Sequence, residues 1–125
     1  MTGVQTCALP ISAPYVPTAV ALEDRAWLWS DSGVVSLMDV STGAVRWQER
    51  VGGNYFGSPV WVSGRLFAVS TSGEVVCVDG GDTFKVLGRY DLKETTHSTP
   101  AVSGGRMYVH TERSLVCVGA ELPAR

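Results

Sequence analysis

The sequence has no apolar run of about 18 residues, the length a membrane-spanning helix needs, so we expect no membrane span. It also has no cluster of basic residues. Ten Lys and Arg are set against 12 Asp and Glu, for a formal net charge of −2. Non-specific nucleic-acid binding depends on clustered cationic side chains that displace counterions from phosphates. We therefore expect no nucleic-acid partner.

Motifs of catalysis are equally scarce. The chain has three cysteines, and no two of them form a Cys-X-X-Cys motif or stand next to each other. It has no glycine-rich phosphate loop and no nucleophile elbow around a serine. The sequence therefore predicts no catalytic, cofactor-binding or metal-binding residue in this chain.

What the chain does contain is typical of short strands joined by tight turns. Val, Thr, Ser and Gly dominate, with 14 Gly and 6 Pro among 125 residues. β-branched residues favour strands, and glycine supplies the positive φ that short hairpin connections need. This composition predicts an all-β domain.

A repeat of about 40 residues organises the chain. Arg25, Arg65 and Arg106 stand 40 and 41 residues apart, and an apolar run follows each of them. The second copy predicts four strands with short links containing glycine. These strands are 58–62, 65–70, 74–79 and 83–92. Each copy is therefore expected to be a four-stranded antiparallel meander.

The apolar runs are nearly continuous rather than alternating, which indicates sheets covered on both faces. Four strands for each copy of about 40 residues are typical of a propeller blade. We predict a partial β-propeller of about two and three-quarter four-stranded antiparallel blades within residues 12–125. The expected blades are 15–57, 58–97 and 98–120. Cys77 and Cys117 then hold equivalent strand positions, which are usually too far apart for a disulfide, and we interpret both as small apolar residues.

The first copy ends Asp39-Val40-Ser41-Thr42-Gly43-Ala44-Val45-Arg46-Trp47, which resembles the PQQ-type propeller repeat, or quinoprotein tryptophan-docking motif. The resemblance implies that Trp47 packs against the neighbouring blade and that Gly43 turns the chain into the outer strand. Asp39 and its repeat equivalent Asp79 are expected to bond to local backbone. These four residues are therefore assigned to blade packing.

The resemblance also implies a choice of function. PQQ-dependent dehydrogenases of this class need calcium or a similar metal, a catalytic aspartate and often adjacent cysteines, and this chain shows no such set. We expect a non-enzymatic module that serves as a binding or protein-interaction scaffold, without a cofactor. The alternatives are a fragment of a quinoprotein dehydrogenase, with PQQ bound only by the full-length protein, and a sensor domain of a larger protein.

Four residues are candidates for contact with a protein or carbohydrate partner. Asn54, Tyr55 and Phe56 stand on a glycine-flanked loop between the first and second copies, and His97 precedes the third copy. Polar and aromatic side chains on such loops suit binding. The alternative is that the aromatic residues pack between blades and that His97 is an ordinary exposed loop residue.

Residues 1–11 read MTGVQTCALPI and resemble the translation of a sequencing-library adapter. We therefore expect this stretch not to be native and exclude it from the fold. The remaining blades and any signal peptide are then expected outside this chain. Family resemblance favours a periplasmic or cell-envelope location.

Overall fold

The computed structural model describes residues 14–119, and all regular secondary structure within this range is β-strand. The predicted adapter stretch, residues 1–11, and the end of the third expected blade lie outside the described residues. Among residues 14–119, no helix is long and apolar enough to cross a membrane. The strands are β1 (Val20–Leu22), β2 (Arg25–Trp29), β3 (Val34–Asp39), β4 (Val45–Arg50), β5 (Val60–Val62), β6 (Arg65–Val69), β7 (Glu74–Asp79), β8 (Val86–Asp91), β9 (Ala101–Ser103), β10 (Arg106–His110) and β11 (Leu115–Gly119).

These strands form three antiparallel sheets in chain order. The first sheet is β1-β2-β3-β4, the second is β5-β6-β7-β8, and the third has β9, β10 and β11. Each strand pairs with its neighbour in sequence, so each sheet is a simple meander. This arrangement confirms the predicted all-β class and the partial propeller.

The three sheets share one register. Arg25 pairs with Asp39, Arg65 with Asp79 and Arg106 with Gly119. The first two sheets also carry an irregularity at the same place, after Leu37 and after Cys77. Positions one repeat apart are therefore equivalent in three dimensions as well as in sequence.

Adjacent sheets bury apolar side chains between them. Trp27 and Trp29 of β2 share a buried cluster with Leu66 and Ala68 of β6. The opposite side of β6–β7 contributes a second cluster, in which Val69 and Val75 meet Met107 and Val109 of β10. The middle sheet is thus covered on both faces, which is why its apolar runs are continuous.

Candidate functional site

The meander gives each sheet two distinct ends. At one end lie the turns that follow β2, β6 and β10, together with the two linkers between sheets, residues 51–59 and 92–100. We call this the linker end. The turns after β1, β3, β5, β7 and β9 lie at the other, which we call the turn end. All four candidate contact residues belong to the two linkers.

Backbone hydrogen bonds hold each linker between two turns. In the first linker, the Tyr55 N–H donates to the Asp31 carbonyl over 2.8 Å, and the Asn54 carbonyl accepts from the Thr71 N–H over 2.7 Å. In the second, the Thr96 N–H donates to the Thr71 carbonyl over 3.1 Å. The Thr95 carbonyl accepts from the Glu112 N–H over 2.9 Å. The linker backbones are therefore fixed to both neighbouring sheets.

Phe56 and His97 hold equivalent positions in the two linkers, and the structure brings their rings together. The ring centroids are 4.8 Å apart with an interplanar angle of 57°. Phe56 is 48% exposed, and His97 and Asn54 are also exposed. We call Asn54, Phe56 and His97 the linker patch. It is an aromatic surface held on a hydrogen-bonded backbone.

Tyr55 lies in the core rather than on the linker surface. Its side chain is 1% exposed and packs edge-on against Trp29, with centroids 5.3 Å apart. Burial, and secondarily the negative charge of Glu74, raises the pKa of Tyr55 to about 12. Among the described residues its hydroxyl has no hydrogen-bond partner in bonding geometry. Tyr55 thus follows the packing alternative and presents no surface to a partner.

An open cleft of about 550 Å³ lies beside the linker patch. His97 lies in its wall, and the other lining residues carry no motif in the sequence that would mark them. Thr96 and Ser98 donate their hydroxyls to the His110 carbonyl over 2.6 and 2.8 Å. These hydroxyls are therefore already engaged in fixing the linker. The lining is Thr95, Thr96, His97, Ser98, His110, Thr111 and Glu112.

Glu94 anchors the second linker from its other side. Its carboxylate accepts hydrogen bonds from the hydroxyls of Thr111 and Ser114, the latter over 3.2 Å. The Thr111 hydroxyl is the main cause that lowers the pKa of Glu94, since it stabilises the ionised form. Glu94 is thereby committed to the turn after β10.

The Thr-Gly motif of the first copy forms a turn closed by local bonds. The Asp39 carbonyl accepts from the Gly43 N–H over 2.8 Å, and Gly43 has φ +74°. The Asp39 carboxylate accepts from the Ser41 hydroxyl over 2.7 Å, the main cause that lowers the pKa of Asp39. The equivalent Asp79 carboxylate accepts from the Gly81 N–H over 3.0 Å. Both aspartates bond to the turn that follows their strand.

Trp47 on β4 contacts the second sheet. Its ring packs edge-on against Phe84, with centroids 5.3 Å apart and an angle of 63°. Phe84 lies in the turn before β8, so the contact joins the outer parts of two blades. This is the position that a docking tryptophan of the repeat is expected to take.

The part of the chain that the structure describes contains no group of three or more His, Cys, Asp or Glu side chains that would hold a metal ion. Cys77 and Cys117 are free thiols on β7 and β11, and burial raises the pKa of Cys77. The described residues therefore do not fit the calcium site that a quinoprotein dehydrogenase requires.

The sheets, their register and the tryptophan contact define a β-propeller built from PQQ-type repeats. Residues 12–120 match the family described as outer membrane protein assembly factor BamB, and the chain belongs to this family. No individual curated protein matches the chain in sequence.

Among the solved structures that share this fold are three larger proteins. BamB from Moraxella catarrhalis superimposes with a TM-score of 0.65 at 19% identity, covering 81% of this chain and 32% of BamB. A europium-containing methanol dehydrogenase gives 0.61 at 18%, covering 81% of this chain and 20% of the enzyme. The quinohemoprotein alcohol dehydrogenase from Comamonas testosteroni gives 0.64 at 17%, covering 78% and 17%. The chain thus spans less than a third of each of these proteins.

Proposed function

We propose that this chain is part of a non-enzymatic β-propeller that binds a protein partner through the linker patch. The observation that carries the proposal is the exposed pair of Phe56 and His97, held in ring contact by two anchored linkers. Aromatic side chains are enriched at protein interfaces because they bury a large area at little entropic cost. Asn54, which is exposed two residues before Phe56 in the same linker, adds a side chain that can form hydrogen bonds with a partner.

The anchoring of the linkers favours binding. An interface loop that is disordered before association must be ordered at a cost in free energy. Here the four backbone bonds to Asp31, Thr71 and Glu112 already fix the linkers. The patch is therefore preorganised, and its contact area contributes to affinity without that cost.

Membership of the BamB-described family supports a protein partner over a small substrate, since that description names an assembly factor. A quinoprotein dehydrogenase fragment and a sensor domain remain the alternatives. Two of the structures with this fold are dehydrogenases, so the fold alone does not separate an enzyme from a scaffold. The linker patch is the feature that favours the scaffold.

The experiment is affinity capture from a bacterial envelope extract, with the full 125-residue chain as bait. The parent is compared with the double variant F56A/H97A and with Y90A as the control. Tyr90 is a surface aromatic residue on β8, 61% exposed and outside the linkers. We expect the same proteins to be captured by the parent and Y90A and to be lost with F56A/H97A.

Capture that is equal for all three baits would overturn the assignment of the patch. Elution of the captured material by free sugars would indicate a carbohydrate partner instead of a protein. Oxidation of alcohols or sugars by the full-length protein, supplied with PQQ and calcium, would support the dehydrogenase alternative.

A further inference from the structure

Glu112, in the turn after β10, is held against the second linker by two hydrogen bonds. Its backbone N–H donates to the Thr95 carbonyl over 2.9 Å, and its carboxylate accepts from the Thr95 hydroxyl over 2.6 Å. The side chain is exposed and lines the cleft of about 550 Å³ beside the linker patch. The carboxylate therefore has a fixed place at the cleft.

The charge of Glu112 is not balanced by a cation within residues 14–119. The guanidinium of its neighbour Arg113 lies 3.8 Å from the Glu94 carboxylate instead. Lys93 lines an adjoining recess with Glu112 but forms no ion pair with it. The Thr95 hydroxyl is the one donor in this range that the carboxylate binds, and a carboxylate has room for several. Glu112 is thus an oriented negative charge with acceptor capacity left over.

The equivalent acid of the first copy uses its capacity within the chain. Asp31 and Glu112 each stand two residues after the second strand of their sheet. The Asp31 carboxylate accepts from the backbone N–H groups of Tyr15 and Val16, over 2.6 and 3.2 Å. Glu112 has no such bond to backbone among the described residues. Its carboxylate is therefore available to a group that a partner supplies.

An aromatic surface lies at the same cleft. His97 lines the cleft together with Glu112, and its ring contacts the ring of Phe56, which is 48% exposed. Cations are attracted to the face of an aromatic ring, and a guanidinium group also stacks on it because it is planar. A carboxylate and an aromatic surface are the two groups that recognise an arginine side chain.

We propose that the cleft receives an arginine side chain of the protein partner. In the complex the guanidinium group donates to the Glu112 carboxylate, and the aliphatic stem lies along Phe56 and His97. Lysine fits less well, since an ammonium ion is more strongly hydrated and does not stack. Charge complementarity with the cleft selects this occupant. The inference rests on the proposed function, because it names the side chain with which the partner binds beside the linker patch.

The test is an NMR titration of the full chain with the peptide acetyl-Leu-Arg-Leu-amide. The chain has two histidines, His97 and His110, and both line the cleft, so their ring signals report on binding there. The control peptide has citrulline in place of arginine, which keeps the shape of the side chain and removes its charge. Titrations are run at about pH 8, where a free imidazole is neutral and does not repel a cation.

We expect the arginine peptide to shift both histidine ring signals in a saturable way. The citrulline peptide should bind about fivefold more weakly, which is the value of an exposed ion pair. Absence of any shift with the arginine peptide, or equal binding of the two peptides, would overturn the proposal.

E112Q is the matched variant, because glutamine keeps an acceptor for the Thr95 hydroxyl and lacks the charge. We expect it to weaken binding of the arginine peptide about fivefold and to leave binding of the citrulline peptide unchanged. E23Q removes the charge of an exposed carboxylate at the turn end and should leave both affinities unchanged. Arginine-peptide binding that is equal in the parent and E112Q would remove Glu112 from the site.

The envelope capture separates this inference from the proposed function. Loss of the captured proteins with F56A/H97A but not with E112Q would uphold the linker patch and overturn the arginine assignment. Capture that persists with F56A/H97A, while E112Q still weakens the arginine peptide, would overturn the patch as the protein interface and uphold the selectivity of the cleft.

Discussion

The backbone N–H of Ser58 donates a hydrogen bond to the hydroxyl of Thr99 over 2.9 Å, across the junction between the second and third sheets. One repeat earlier, the N–H of Thr18 donates to the hydroxyl of Ser58 over 2.8 Å. The three residues hold the same place, two residues before the first strand of each sheet. The hydroxyls of Ser58 and Thr99 therefore connect the second and third sheets to the sheet before each of them.

Replacing Thr99 by Val removes the acceptor for the Ser58 N–H while keeping the shape of the side chain. We expect T99V to lower the free energy of unfolding by about 1 kcal/mol, the net value of one hydrogen bond. T99S retains the hydroxyl and serves as the control. Thermal melting measures both variants against the parent, and equal melting of T99V and T99S would contradict the role of the hydroxyl.

Gly73 is required by the close approach of the second linker. It has φ +94°, and a Cβ built on it would clash with the backbone carbonyl of Glu94. Gly64, with φ +77°, has open space where its Cβ would lie. Positive φ alone costs an alanine about 1 kcal/mol, so G64A should lose about that much, and the clash should make G73A lose about 2 kcal/mol more.

Urea denaturation of G73A and G64A measures both losses. The added Cβ in G73A should also push the second linker, which carries His97, away from its place beside Gly73. The Phe56–His97 ring contact should therefore weaken in that variant. Equal losses in the two variants would show that the linker yields without cost.

The period and the register were predictable from the sequence because every blade repeats the same apolar positions. β7 has the predicted bounds, Glu74–Asp79. The predicted first strand of that copy began at residue 58, but β5 begins at Val60, because the Ser58 N–H bonds to the Thr99 hydroxyl in the second linker. The fourth was predicted from residue 83, and β8 begins at Val86 after the turn closed by Asp79.

The linker patch was only partly predictable. The spacing places Phe56 and His97 at equivalent positions, but their contact depends on the path of two irregular linkers, which no periodicity describes. Tyr55 and Phe56 are adjacent aromatic residues on one loop, yet one is buried and the other exposed. Composition does not tell which of two such neighbours points into the core.

Trp61 of β5 packs on Trp27 of β2 between the first two sheets, with ring centroids 4.6 Å apart. W61V places there the side chain that the third sheet has at the equivalent position, Val102, since Trp61 pairs with Leu66 as Val102 pairs with Met107. We expect a loss of about 2–4 kcal/mol, since a large ring leaves a cavity beside Trp27. Y90V, which alters an exposed ring on β8, should lose less than about 0.5 kcal/mol. Equal denaturation midpoints for W61V and Y90V would contradict the packing role of Trp61.

Tyr55 should make the folded chain sensitive to alkaline pH. Burial raises its pKa to about 12, whereas a tyrosine in the unfolded chain has a pKa of about 10. The unfolded state therefore loses its proton first, and its ionisation favours unfolding as the pH rises above about 10. The stability conferred by the neutral hydroxyl is complete below pH 10 and is lost progressively up to about pH 12.

The variant Y55F isolates this effect because the other titrating groups are common to both chains. At neutral pH we expect Y55F to be about as stable as the parent, since among the described residues the buried hydroxyl has no hydrogen-bond partner in bonding geometry. Between pH 10 and pH 12 the parent should lose about 2 kcal/mol relative to Y55F, which is most of the roughly 3 kcal/mol that a pKa difference of about two units represents. Urea denaturation at a series of pH values gives both curves. Curves that stay parallel through this range would show that Tyr55 ionises as readily in the folded chain as in the unfolded one, and hence that its ring is not held in the core against Trp29.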